Sequence, residues 1–260
     1  MSTETTRVTP IHIPYPASGD RHLRLSVGAC RLRVRPGDED AWVTGMYTDP
    51  TGALPAQITQ EGGTARISQE YRWPEVWGTI TSPPRFDLAL GKAGPYMLTI
   101  EAGASETDLD LGGLPISRLE VKQGAGKYRI DFSAPNPQAM SLFDLDAGAG
   151  DIELSHLVNA NFAEMRIDGG AAAYRLDFSG TLQRDAYVKI STGVSSVEIR
   201  VPASTAAKIS TESVLGSIEI GDGFIKKEGA FWTEAALAGK RPVLTIRTSV
   251  ALGALRLQVT

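Results

Sequence analysis

A chain of 260 residues, 42% hydrophobic and 22% charged, has the size and composition of one large or two small soluble globular domains. A net charge of −4 with no basic run excludes an electrostatic grip on nucleic acid, and no stretch approaches the roughly 18 apolar residues of a membrane helix. The single cysteine, Cys30, excludes an internal disulfide and fits a reducing compartment, and Met1–Arg7 lacks the apolar stretch of a signal peptide. A cytoplasmic chain without membrane insertion is therefore expected.

Along the chain, one pattern recurs: two short runs of alternating apolar and polar residues around a glycine. Its first copy is Leu23-Arg-Leu25-Ser-Val-Gly28-Ala-Cys-Arg-Leu32-Arg-Val34. Residues 35–64 break it with turn signals at Pro36-Gly37, Asp49-Pro-Thr-Gly52 and Glu61-Gly-Gly63, and read as strands joined by turns. Ala65-Arg-Ile67-Ser-Gln69 resembles half of another copy. Residues 69–96 are the most aromatic and proline-rich part of the chain, with Tyr71, Trp73 and Trp77.

The pattern then settles into regular copies. Leu98–Leu111 turns at Gly103, Leu119–Phe132 at Gly124, Phe143–Leu154 at Gly148, Met165–Phe178 at Gly170 and Val188–Val201 at Gly193. Ala207–Ile220 and Leu244–Leu257 are stretched, with two extra residues at the corner before Gly216 and Gly253. The second apolar residue of each copy marks the period: Ile100, Val121, Leu145, Ile167, Ile190 and Ile209 lie 21, 24, 22, 23 and 19 residues apart. A period in this range signals a stacked array. Alternation on both sides of the glycine is strand periodicity with one face buried, and the glycine supplies the positive φ or close backbone approach of a tight corner. The expected fold is all-β: a single-stranded right-handed parallel β-helix-like solenoid with short coils of about 20–24 residues. Residues 1–96 read as an N-terminal module and cap, and 97–260 as the repeats, interrupted by an insertion at 221–243.

Stacking in register makes a further demand on the wet faces, because like charges directly opposite repel and opposite ones help. The second-run ladder reads Asp108, Arg129, Glu153, Arg175, Glu198, Glu219, Arg256, alternating in sign with one lapse. On the first run the ladders read Glu101, Lys122, Asp146, Asp168, Ser191, Ser210, Arg247 and Thr99, Glu120, Asp144, Arg166, Lys189, Lys208, Thr245. These ladders account for most carboxylates that would otherwise suggest catalysis.

Other motifs carry less. Gly124-Ala-Gly126 and Gly148-Ala-Gly150 resemble the start of a dinucleotide fingerprint but lack the third glycine and the helix, so the corner reading is preferred. Zinc spacing and a Walker A sequence are absent. Of His12, His22 and His156, the last falls where Phe132 and Phe178 fall in neighbouring copies, at a coil corner. Asp144, Asp146 and Asp168 could hold calcium, but a solvated ladder beside Arg166 and Lys122 is preferred. No cofactor, metal site or catalytic residue is expected.

The candidate partner-binding residues are Tyr71, Trp73 and Trp77, with Phe231 and Trp232 in the insertion, because aromatic side chains dominate binding hot spots. For the Tyr71–Trp77 segment the competing reading is that it packs over the solenoid end as a cap. Because the last copy runs almost to Thr260, its coil is expected to be covered by the 221–243 insertion or used in self-association.

The strings Phe86-Asp-Leu-Ala-Leu90, Tyr96-Met-Leu-Thr-Ile-Glu-Ala-Gly103-Ala104, Leu109-Asp-Leu-Gly-Gly-Leu114 and Leu119-Glu-Val-Lys-Gln-Gly124-Ala-Gly126 resemble the bacterial toast-rack family. That family is similar to the C-terminal domain of LiaF-type cell-envelope stress regulators and to a broad group of candidate adhesins. The resemblance covers most of the chain from about residue 20, with Leu23–Gln69 similar to the N-terminal toast-rack module. It implies a β-solenoid with a non-enzymatic binding or regulatory role, and it supplies no catalytic residues. LiaF-type regulators carry membrane helices ahead of this domain, which this chain does not show. The expected function is a protein-interaction or scaffold module linked to envelope-stress regulation, with an unknown protein partner; the alternative is an adhesin or carbohydrate-binding surface protein.

Overall fold

The computed structural model describes residues 6–52, 54–69 and 82–260. Among the described residues, sixteen strands form one open sheet. In chain order they are β1 (Arg7–Ile13), β2 (His22–Val27), β3 (Arg31–Pro36), β4 (Val43–Asp49), β5 (Ala56–Glu61), β6 (Thr64–Gln69), β7 (Arg85–Leu90) and β8 (Tyr96–Asp110). They continue as β9 (Ile116–Asp131), β10 (Met140–Ser155), β11 (Phe162–Asp177), β12 (Ala186–Val201), β13 (Ala206–Ile220), β14 (Phe224–Lys227), β15 (Ala230–Thr233) and β16 (Val243–Val259).

Each regular copy is one long strand folded at its glycine into two arms. In β9 from Leu119 onward the buried residues are Leu119, Val121 and Gln123 before the corner and Tyr128 and Ile130 after it, so the buried positions change from odd to even there. A straight strand cannot do this, since its side chains alternate strictly. The parity change keeps both arms facing one core, whose buried side chains run without a break from Ile11 to Leu257. Consecutive strands from β8 to β12 pair parallel and in register, for example Val121↔Leu145 and Leu145↔Ile167. Both arms of β8 are matched on its other side, by β2 on the first arm and β3 on the second. The sheet and core therefore pass across residue 96 without interruption.

The glycine function divides between two positions. At Gly148 the need is closeness: an added Cβ would lie 2.3 Å from the Gly124 carbonyl oxygen. Two residues on, Gly150 combines a φ of +146° with a Cβ position 2.0 Å from the Gly126 carbonyl oxygen. Positive φ thus belongs to the second glycine of Gly-Ala-Gly, and close approach to both.

At both ends, spatial order departs from chain order. The half-copy at Ala65 is completed by β7: β6 and β7 stack on β2 and β3 as the two arms of one coil. The first coil in sequence therefore lies inside the second. The C-terminal end mirrors this, since β16 pairs with β12 on one side and β13 on the other. The expectation that the last coil forms the open end, available for self-association, is corrected. Both of its edges are satisfied, and β13 ends the stack.

The insertion at 221–243 does cover part of that end. Its β14–β15 hairpin pairs antiparallel with Lys208–Ser210 on the first arm of β13. The stretched copies also need correction. Ile246 and Ile209 align with Val188, while Ile190 faces Thr248, which faces Thr211. The positions equivalent to Ile190 are the threonines two residues beyond Ile209 and Ile246; β16 crosses the corner at the normal length, from Thr192↔Val250 to Ser195↔Gly253. At the N-terminal end, antiparallel strands close the stack, β5 against β6 and β4 and β1 beyond β7.

Between strands the chain returns through short loops stitched by buried asparagines. The Asn136 amide donates to the carbonyls of Ile116 (2.8 Å) and Ala160 (3.1 Å) and accepts from the Gln138 amide N–H (2.8 Å). Asn159 donates to the Phe132 carbonyl (2.9 Å) and accepts from the Thr181 N–H (2.8 Å). His156 begins a left-handed turn at the end of its coil, with φ of 51°. Its ring leaves the core and meets Asp131 at 2.7 Å, while Leu157 fills the buried place.

Candidate functional site

Of the predicted partner-binding residues, Tyr71, Trp73 and Trp77 lie outside the described residues. In sequence that segment lies between β6 (Thr64–Gln69) and β7 (Arg85–Leu90). Phe231 and Trp232 lie on β15 and separate by function. Phe231 faces Ile209 and packs against the end of the core. Trp232 faces the other way, beside Lys208, whose ammonium lies 4.8 Å from the indole centroid, and its Nε1 donates to the Lys227 carbonyl at 3.1 Å. Phe231 thus serves as cover for that end, while Trp232 presents a partly exposed, cation-flanked ring.

Thr233 anchors this hairpin. Its hydroxyl accepts from the Ala207 N–H at 2.9 Å and donates to the Thr205 carbonyl at 2.8 Å, and the residue is fully buried. It also caps the single turn of helix α1 (Glu234–Leu237) through the Ala236 N–H.

The wet faces are organised by charge. In spatial order the second-arm ladder is Asp87, Arg33, Asp108, Arg129, Glu153, Arg175, Glu198, Arg256, Glu219. The signs alternate at every rung. The lapse in the sequence disappears because β16 brings Arg256 between Glu198 and Glu219. Arg256 meets Glu219 at 2.7 Å, Arg129 meets Glu153 at 3.5 Å, and Arg175 adds Asp151 at 2.7 Å. Each exposed pair contributes at most about 1 kcal/mol, so the ladder specifies register more than it stabilises.

On the first arm the ladder becomes Thr99, Glu120, Asp144, Arg166, Lys189, Arg247, Ser210. Partial burial raises the Asp144 carboxyl above its ordinary range against the pull of Arg166, with Asp168 and Glu120 adding to the rise. Asp146 and Asp168 stand directly opposite each other, with Lys122 on the far side of Asp146. Among the described residues, no group of three His, Cys, Asp or Glu side chains is placed to hold a metal ion.

Two surface features escaped the sequence reading. One is an open groove of about 530 Å³ along the corner of the N-terminal coils, floored by Gly28, Gly103, Gly124 and Gly148. Ser26 donates to Glu101 at 3.0 Å on its wall, and the Gly28 N–H donates to the Gln69 side chain at 3.2 Å. The other lies at the opposite end. The outer corner carries exposed alanines at Ala104, Ala125, Ala149 and Ala171, then Val194 and Leu252, which are 61% and 54% exposed, and Leu215 on β13 at 71%. The replacement of alanine by larger aliphatics at the corner was the available sequence signal.

The fold and these surfaces define a class: a β-solenoid of stacked, corner-folded strands whose unrepeated surface gathers at its ends and along its corner. The family model for the N-terminal domain of toast_rack matches residues 2–155, and the chain belongs to the toast-rack family. Among solved structures it is similar to a candidate cell adhesion protein from Clostridium sporogenes ATCC 15579, with a TM-score of 0.51, 15% identity, and coverage of 98% of this chain and 100% of that one. It is also similar to a candidate adhesin from Bacteroides fragilis NCTC 9343, with a TM-score of 0.51, 11% identity, and coverage of 98% and 97%. At these identities the likeness is one of fold. No curated protein matches the sequence. Among the described residues no helix is long and apolar enough to cross a membrane.

Proposed function

We propose that this protein is a non-enzymatic scaffold that binds another protein through the unrepeated parts of its stack and serves cell-envelope stress regulation from the cytoplasm. The observation carrying this reading is the charge ladder: ionisable side chains that could have converged on a substrate are instead spread one per rung along the sheet. A catalytic site needs a nucleophile, a base and a pocket in mutual reach. Trp232 offers a partly exposed aromatic anchor, and the sequence of Tyr71–Trp77 supplies further aromatic residues of the type that dominates binding hot spots. Envelope-stress service rests on the resemblance to LiaF-type regulators.

The test is cross-linking and affinity capture in the native host, with wild type beside Trp73→Ala/Trp77→Ala and Trp232→Ala. Loss of a specific partner from either variant supports the reading; identical partners in all three, or turnover on a glycan panel, overturns it. The names of the two solved structures favour a second reading, an adhesin. A secreted fraction in the native host would favour that reading.

A further inference from the structure

Among the described residues, the second arm of β13, Gly216–Ile220, ends the sheet with one side unpaired. Its partner on one side is β16, and the β14–β15 hairpin covers only Lys208–Ser210 on the first arm. Such an edge offers a row of free N–H and C=O groups to an incoming strand.

Two further observations say what that strand must carry. Ile218 faces inward in register with Leu255 and Val197, which are 1% and 0% exposed, yet Ile218 itself is 45% exposed. It lacks the neighbour that its ladder-mates have. Among the described residues, Glu219 is the last rung of the alternating ladder, with Arg256 on one side at 2.7 Å and no residue on the other. The next rung in the alternation is a cation. Other sheet edges, such as the outer side of β1 or β5, do not combine an interrupted core with an unfinished charge ladder.

We propose that Gly216–Ile220 is a strand-acceptor edge for an extended segment of a partner protein reading aliphatic–Arg/Lys–aliphatic, with the cation opposite Glu219 and the aliphatic residues covering Ile218 and Ile220. The pattern is the same for parallel and antiparallel addition, because flanking residues face the core in both. The segment Leu255-Arg-Leu257, which already occupies the rung on the other side of Glu219, shows the side chains that fit. This inference rests on the reading of the protein as an interaction module, but its test needs only purified protein.

A labelled synthetic peptide with the sequence Ala254–Val259 is titrated into the full chain, with amide shifts and hydrogen exchange read at Ser217–Ile220. The same peptide with Arg256→Glu is the control. Wild type is expected to prefer the arginine peptide by about fivefold, the preference to invert in Glu219→Arg, and to vanish in Glu219→Gln. Far-UV circular dichroism establishes that both variants keep the fold. Binding without charge inversion, perturbation away from Ser217–Ile220, or absence of binding overturns the proposal. So does a concentration-dependent dimer that protects the same amides and excludes the peptide, since the edge would then belong to a second copy. Peptide binding that passes these tests while host capture yields no partner would leave the acceptor edge standing and remove the envelope-stress reading.

Discussion

Replacing corner glycines by alanine one at a time turns the stacking geometry into a graded test. At Gly103 an added Cβ meets nothing nearer than 3.6 Å, an ordinary contact, and at Gly193 it meets the Gly170 carbonyl oxygen at 3.2 Å. At Gly148 and Gly170 the distances fall to 2.3 and 2.4 Å. At Gly150 the carbonyl oxygen is 2.0 Å away and φ is +146°. The obstacle in each case is backbone of the neighbouring strand, which can yield only if the ladder opens. Backbone strain at Gly150 costs about 1–3 kcal/mol and the overlap about 1–3 kcal/mol more, so Gly150→Ala should lose roughly 2–6 kcal/mol. For a chain of this size that lowers Tm by roughly 5–20 °C. Gly103→Ala should fall within about 0.5 kcal/mol of wild type, because the lost clash-free freedom of glycine in the unfolded chain offsets small packing changes. Urea denaturation of the five variants should rank them Gly103, Gly193, then Gly148 with Gly170, then Gly150. Equal midpoints for Gly103→Ala and Gly150→Ala would refute the close-stacked corner.

The charge ladder, the loop stitching and two titrating groups give four more expectations. Arg175→Glu sets like charges beside Glu153, Glu198 and Asp151; it should cost about 1 kcal/mol at low salt and little in 1 M salt, and an equal cost at both would count against rung-to-rung electrostatics. Asn136→Ala orphans two buried backbone carbonyls and the partly buried Gln138 N–H and should cost about 2–4 kcal/mol in thermal melts, whereas a cost near zero would show that the return loops hold without it. Burial, reinforced by Arg24, lowers the His22 pKa below 6.5, so the fold favours the neutral ring. Its contribution is intact above pH 6.5 and lost as pH falls through that value toward the lower folded one; His22→Gln should flatten this part of the stability profile, and an unchanged slope would exclude the residue. Burial pushes the Cys30 thiol up to about 12, so a thiol reagent should label it only at the rate of unfolding, and rapid native labelling would contradict its packing.

What was legible in the sequence follows from which constraints act locally. Period-two alternation and the corner glycine are imposed within one copy, and they located every long strand. Register is set between copies, so it could be misread where a copy substitutes a small polar residue for an aliphatic one. Thr248 and Thr211 are such residues, at the positions equivalent to Ile190. The half-copy at Ala65 lost its other half for a similar reason: its second arm begins at Arg85, beyond the aromatic and proline-rich stretch. Phe231 and Trp232 looked alike in sequence because a strand's two faces differ only once its partner is known. The open edge of β13 was invisible, since the chain continues beyond it and only spatial order makes it terminal.

Strand order nevertheless left one trace in the sequence. Read in chain order, the second-arm ladder puts Glu219 after Glu198, a like-charge contact the fold would have to tolerate. Moving the last copy in front of the one before it removes the conflict, and that is the order the sheet adopts, with Arg256 between them. The N-terminal end is rearranged in the same sense, since the coil of β2 and β3 lies inside that of β6 and β7, with Arg33 between Asp87 and Asp108. In both places the copy nearer the chain end is held on two sides; at the C-terminal end an internal segment forms the exposed layer, whereas at the N-terminal end β1 lies at the sheet edge, paired with β4 alone. Detaching β16 would therefore mean unpairing two strands rather than one. The same arrangement is what exposes Glu219: burying the last coil leaves the preceding one, with its unfinished rung, at the edge where another chain can reach it.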